Sequence, residues 1–257
     1  MIPGMVAHLG VLLISFPGAE STALMVLRWI HLVVGLTWIG LLYFFVLVNT
    51  PFLQELDWNL RVVVFPKLMS RAMWWFRWSS VLTVLVGLAY WMHIVATDAR
   101  NAKALGIMAS SGRMFGTFFL LWTLAFFIEM AALMSPVETL KKGPILGILV
   151  TAAVVAASWL FLTWNQTGWE SNRDLTIGIG GGLGWFMMFN VWGIVWRVQK
   201  KLIRWTEANG NTGAQLPPEL VKLSQISLSA ARVSFWLSFP MLFFMGAASH
   251  CILFIGR

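Results

Sequence analysis

MVLRWIHLVVGLTWIGLLYFFVLVN, residues 25–49, carries one formal charge in twenty-five positions, at Arg28. As a helix rising 1.5 Å per residue it is about 37 Å long, enough to cross the roughly 30 Å hydrocarbon core of a bilayer. Five more runs of spanning length follow, at 73–95, 114–134, 144–164, 175–197 and 233–255. Turn formers separate them: Asn49-Thr50-Pro51, Ser135-Pro136, and the polar stretches 98–113, 165–174 and 207–218. The expected fold is all-α, a polytopic membrane protein whose single transmembrane domain over 1–257 is a bundle of about six helices. Residues 3–16 are apolar but short, have no Lys or Arg before them and are closed by Pro17-Gly18. They read as an interfacial segment or half-helix, not as a seventh span or a secretory signal.

Composition agrees with a lipid solvent. Apolar residues make up 59% of the chain and charged residues 11%, and the mean hydropathy is +0.78. Soluble domains carry about 25% charged residues. The formal charge of +8 does not indicate nucleic acid, because the basic residues cluster in short loops between apolar runs. Twelve of the eighteen lie in or beside the first, third and fifth loops: Arg61, Lys67, Arg71, Arg77, Lys141, Lys142, Arg197, Lys200, Lys201, Arg204, Lys222 and Arg232. The positive-inside rule makes those loops cytoplasmic and both termini periplasmic, in a bacterial inner membrane. The single cysteine, Cys251, leaves no internal disulfide, no four-cysteine zinc site and no CxxCH haem attachment.

Three of the four histidines stand near segment ends that this topology puts on the outer face. His31 lies about six residues inside the first span and His250 about five residues before the end of the sixth, so both fall roughly 8–9 Å below the outer boundary. His93 lies nearer the surface, at the outer end of the second span. Ionisable side chains within a membrane are functional candidates by default. Two imidazoles on facing helices suit the axial positions of one b-type haem, His31 and His250 being the pair and His93 the reserve. Three histidines also suit copper or zinc. The plainer reading is that each ring hydrogen-bonds a carbonyl on a neighbouring helix and binds nothing.

Nearby residues extend the site. Arg28 precedes His31 by three positions, on the same helical face and closer to the outer surface, where a haem propionate needs a cation. Arg113 opens the third span and has the same option, although an interfacial anchor is its commoner role. Gly35, one turn below His31, lets a ring edge approach the backbone. The glycines of 178–184 follow no strand and precede no Lys-Ser/Thr, so they form no phosphate loop and read as close helix packing. At the opposite depth, Arg77 and Glu129 are expected to form a buried ion pair joining the second and third spans. No ladder of acids or histidines crosses the membrane, so a proton pump is not expected.

Several stretches resemble the membrane module of the urate hydroxylase family: Arg28-Trp29-Ile30-His31 with Gly35 and Trp38-Ile39-Gly40-Leu41-Leu42-Tyr43-Phe44; Trp75-Phe76-Arg77-Trp78 with Gly87; Gly184 with Asn190-Val191-Trp192; and Phe239-Pro240-Met241-Leu242-Phe243 with Ser249-His250. The similarity runs in order along nearly the whole chain. It implies a redox-type polytopic membrane protein, with the histidines of the first and last helices as the positions to carry over. Family members usually continue into a c-type cytochrome domain, which is not seen after His250, so a separate cytochrome c is the expected partner. The family also places a His-Asn pair near the start of its last helix, where this chain has Val233-Ser234-Phe235. Urate chemistry is therefore not carried over.

Three functions follow from these readings. The first is a haem b electron-transfer subunit exchanging electrons at the periplasmic face with a cytochrome c or a larger membrane redox complex. The second is a membrane oxidoreductase of the urate-hydroxylase type, and the third a cofactor-free structural or assembly subunit.

Overall fold

A computed structural model describes residues 18–254. Among the described residues six helices are long and apolar enough to cross a membrane: α1 (Ala19–Glu55), α2 (Trp58–Ala104), α3 (Ser111–Met134), α4 (Gly143–Asn165), α5 (Asn172–Thr212) and α6 (Leu220–Ala247). Among the described residues there is no strand, only one further short 3-10 turn at Glu138–Lys141. The expected segment at 3–16 lies outside the described residues.

Local chemistry sets the helix ends. Ser110 accepts from the Arg113 backbone N–H to start α3, and Ser171 with Asp174 forms a reciprocal capping box at the start of α5. Pro144 stands in the first turn of α4, where its missing N–H costs nothing. Gly213, at φ 68°, ends α5 in the left-handed conformation that a side chain disfavours.

The helices alternate in direction, so α1, α3 and α5 run one way and the others return. The start of α1 and the end of α2 share the rim that we call outer. There Glu20 meets His93, Arg113 meets Glu170, and Asn172 meets the chain leaving α6. Sixty-one per cent of the most apolar stretch of α5 is buried, against 17–44% for the other five helices. α5 is therefore the axis of the bundle, and its glycines permit this. Gly178 lies against the Phe161 ring, Gly180 against Phe244 of α6, and Gly182 against the indole of Trp122. Around them Trp91, Trp122, Phe118, Phe161 and Phe186 are wholly buried. Such close approach drives association where lipid is as apolar as the core. Leu36, Ile148, Trp159 and Trp236 are exposed on the outside of the bundle, toward lipid.

Three helices overrun the expected spans on the inner side by a dozen residues or more, α6 among them because it begins at Leu220. α2 begins at Trp58 and α5 continues to Thr212, and the overhangs pair: Trp58 donates its indole N–H to Asn209 Oδ1 at 3.1 Å, and Gly210 packs on Val62. This inner stem carries Arg61, Lys67, Arg71, Lys200, Lys201 and Arg204. At its other end α6 stops early, at Ala247 and not near 255. The cause is distant in sequence: Asn172 donates to the Cys251 carbonyl at 2.9 Å and accepts from the N–H groups of Leu253 and Phe254, both at 2.9 Å. Three bonds to one amide draw the tail across the start of α5 and off the helical path.

Both α1 and α5 contain a π-helical turn, at Phe44–Asn49 and Asn190–Val195. In α1 the reason is Pro51, whose ring crowds the carbonyl four residues earlier and widens the turn. The Thr50 hydroxyl takes up the loosened Phe45 carbonyl at 2.8 Å.

Candidate functional site

His31 projects from α1 onto α2. Its Nδ1 lies 2.8 Å from the backbone oxygen of Thr83, and because a carbonyl only accepts, Nδ1 must carry the proton. That carbonyl already serves its own helix, and it is reachable because Gly87, four residues on, has no side chain to cover it. A Cβ at Gly87 would stand 2.7 Å from His31 Cε1 and 2.8 Å from Nδ1, so the imidazole lies directly on bare backbone. Thr83 turns its hydroxyl to the Ser79 carbonyl at 2.7 Å and its methyl toward Gly35, at 3.5 Å from where a Cβ would be. Gly35 thus serves the α1–α2 contact.

This geometry fixes the tautomer. Nε2 of His31 keeps its lone pair and has no hydrogen bond among the described residues. A ring held by Nδ1–H on a carbonyl, with Nε2 free, is the form in which histidine ligates metals. Gly184 of α5 is buried, yet a Cβ there would meet nothing within 4 Å, so the axial helix leaves space at that point. Of these two features the free Nε2 is the one that suits a haem iron.

The other expected residues lie elsewhere. His250 is not on α6 but in the turn after it, exposed, beside Ser171, Asn172 and Arg173 at the start of α5. It does not fit a ligand position as it stands, because the Asn172 bonds that end α6 hold this turn at the rim. His93 Nε2 pairs with Glu20 Oε1 at 2.9 Å. Among the described residues no three His, Cys, Asp or Glu side chains converge on a metal site, so the three-histidine copper or zinc arrangement is not assembled. Arg28 is exposed one turn outward of His31, its guanidinium 5.8 Å from the centre of the Tyr90 ring. Arg113 is committed to the α4–α5 loop, donating to Thr167 Oγ1 at 2.9 Å and Glu170 Oε1 at 3.5 Å. It is an interfacial clasp away from the His31 ring.

The expected Arg77–Glu129 ion pair does not form. Trp192 and Trp196 of α5 reach Arg77 first: its guanidinium lies 4.0 Å from the centre of the Trp196 ring, with Trp192 and Trp78 also within 6 Å. Cation–π contact replaces the carboxylate. Glu129 is completely buried, and neither carboxyl oxygen has a hydrogen-bond partner, although Asn190 of the α5 π turn lies beside it.

Sequence reading quoted Gly87 only as part of the family resemblance, and missed Thr83 and the small-residue row to which both belong. Ser79, Thr83 and Gly87 recur every four positions on one face of α2. That row was the available signal for a flat side chain pressed on the helix. Comparison of the chain with protein families, characterised proteins and solved structures finds no match.

Proposed function

We propose that this multi-pass membrane protein is a b-type haem electron-transfer subunit, with His31 as an axial ligand. It would work in a bacterial inner membrane, its His31 end toward the periplasm, exchanging electrons with a cytochrome c or a larger redox complex. The supporting observation is the imidazole pinned by Nδ1–H to the Thr83 carbonyl, its Cε1–Nδ1 edge against the Gly87 backbone and Nε2 left free. Haem supplies a one-electron Fe(III)/Fe(II) couple. The chain's part is to hold one tautomer of His31, to exclude water with the aromatic core around α5, and to offer Arg28 as a cation on the outer side. The count of basic residues by loop supports the orientation.

A second reading, a membrane oxidoreductase, draws on the exposed position of His250. Such an enzyme needs an open coordination position, and His250 fills none from its turn.

The test is the visible spectrum of the purified chain, oxidised and dithionite-reduced, with carbon monoxide then added. A b-type α band that disappears in His31→Ala supports haem ligation. A band insensitive to carbon monoxide marks an iron with both positions filled and fits electron transfer, whereas a band shifted by carbon monoxide marks an open position and favours the oxidoreductase. A folded, colourless wild-type protein rules out both.

A further inference from the structure

At the inner end of the bundle, where the two π turns come together on α6, α1, α2, α5 and α6 line a half-open cavity of about 240 Å3. It lies eighteen residues along α1 from His31, about 27 Å away, and the inference does not rest on the haem reading. Its deep walls are apolar and partly aromatic, with Leu42, Phe45, Met73 and Phe76 among them. A cavity of about 150 Å3 lined by such side chains already holds benzene. This one has room for a substituted six-membered ring.

Hydroxyls of Thr50, Thr206, Ser224 and Ser227 and three amides, Asn49, Gln54 and Gln199, break the apolar lining, and two of the amides have a buried carbonyl oxygen with no donor. Asn49, 4% exposed, directs its Nδ2 to the Met69 sulfur at 3.5 Å, and Oδ1 is buried without a donor. Across the cavity on α5, Gln199 donates from Nε2 to Ser227 Oγ at 3.0 Å, and its Oε1 is likewise buried and unpaired. Each amide is turned by its own donor bond so that the carbonyl oxygen is left over. An unmet buried acceptor costs about 1–3 kcal/mol, which a ligand bringing a donor recovers. At the mouth, Arg61 donates from Nη2 to the Leu56 carbonyl at 3.2 Å, closing the end of α1, while its Nε is buried without an acceptor. No Asp or Glu lines the space, so a cationic ligand has no counter-ion.

A lining without carboxylates disfavours a cation, Arg61 offers one donor at the mouth, and the two orphan oxygens call for a flat, membrane-soluble ligand that brings two hydrogen-bond donors. We infer that the cavity binds the hydroquinone headgroup of a membrane quinol, its two ring hydroxyls donating to Asn49 Oδ1 and Gln199 Oε1. The oxidised quinone has only acceptors to offer these oxygens and binds more weakly.

The test compares tetramethylhydroquinone with tetramethylbenzoquinone, by anaerobic equilibrium dialysis against the protein in nanodiscs, with empty nanodiscs correcting for partition into lipid. The reduced probe should bind at least about tenfold more tightly, one hydrogen bond being worth roughly that much. Asn49→Leu and Gln199→Leu should each cost the reduced probe about tenfold and leave the oxidised probe unchanged. If either variant fails to fold, Ala231→Phe, which fills the cavity from α6, should abolish binding of both probes. Equal affinity for the two probes, affinity unchanged in the variants, or no saturable binding above empty nanodiscs would each overturn the inference, the last leaving the two amides to water.

Discussion

Replacing Gly87 by alanine tests the tautomer argument without touching the histidine. The added methyl carbon would stand 2.7 Å from Cε1 and 2.8 Å from Nδ1 of His31, against about 3.5–4.0 Å for carbon atoms at ordinary contact. The ring is the mobile partner, so it must retreat by roughly 1 Å. Moving directly away, Nδ1 would pass from 2.8 Å to about 3.8 Å from the Thr83 oxygen, outside hydrogen-bonding range. The helices stay together, but the ring loses the bond that fixes its proton. Loss of an outer-shell bond of this kind typically costs a metal site 10–100-fold in affinity. Gly87→Ala should therefore fold, show reduced haem occupancy, and surrender haem to apomyoglobin at least tenfold faster than wild type. Gly40→Ala is the control, since a methyl there meets nothing within 4 Å. Full occupancy and an unchanged transfer rate in Gly87→Ala would refute the role assigned to the Thr83 carbonyl.

Other substitutions address the rest of the bundle. Gly182→Ala drives a methyl into the Trp122 indole on the axial helix and should destabilise by about 1–3 kcal/mol, seen as a lower Tm in detergent. Arg77→Lys keeps the charge but gives up planar stacking on Trp196, with an expected loss of roughly 1 kcal/mol by the same assay. A double-mutant cycle of Arg77→Met with Glu129→Gln should give a coupling within about 0.5 kcal/mol of zero; a coupling of 3 kcal/mol would restore the buried ion pair. Asn172→Ala removes all three bonds from the tail and should speed amide hydrogen exchange at Leu253 and Phe254 while leaving exchange in α5 unchanged.

Hydropathy disclosed the six spans because a bilayer demands about twenty apolar residues in a row, a signal within any one segment. It did not disclose the inner halves of α2 and α5, where residues 58–72 and 198–212 turn polar and are held helical by each other through Trp58, Asn209, Val62 and Gly210. The early end of α6 was equally hidden, because the residue responsible, Asn172, is more than seventy positions away in the chain. His31 was legible as an ionisable group in lipid, whereas its partner was not: a backbone carbonyl leaves no letter in the sequence except the glycine that uncovers it. The Arg77–Glu129 expectation erred for a different reason. Opposite charges at one depth invite pairing, but α5 inserts two tryptophans beside Arg77 and the guanidinium takes the nearer faces.

The two π turns carry one residue more than a regular helix would need for the same rise, and each such extra residue rotates everything beyond it by about 100°. Asn49 closes the first, and Gln199 lies one helical turn past the second. Deleting Val48 or Val191 would let the helix wind regularly and swing the amide beyond it to another side, exchanging it for an apolar neighbour without changing composition or hydropathy. The polarity of the inner cavity is thus a matter of helical phase, set by two insertions and erased by removing either.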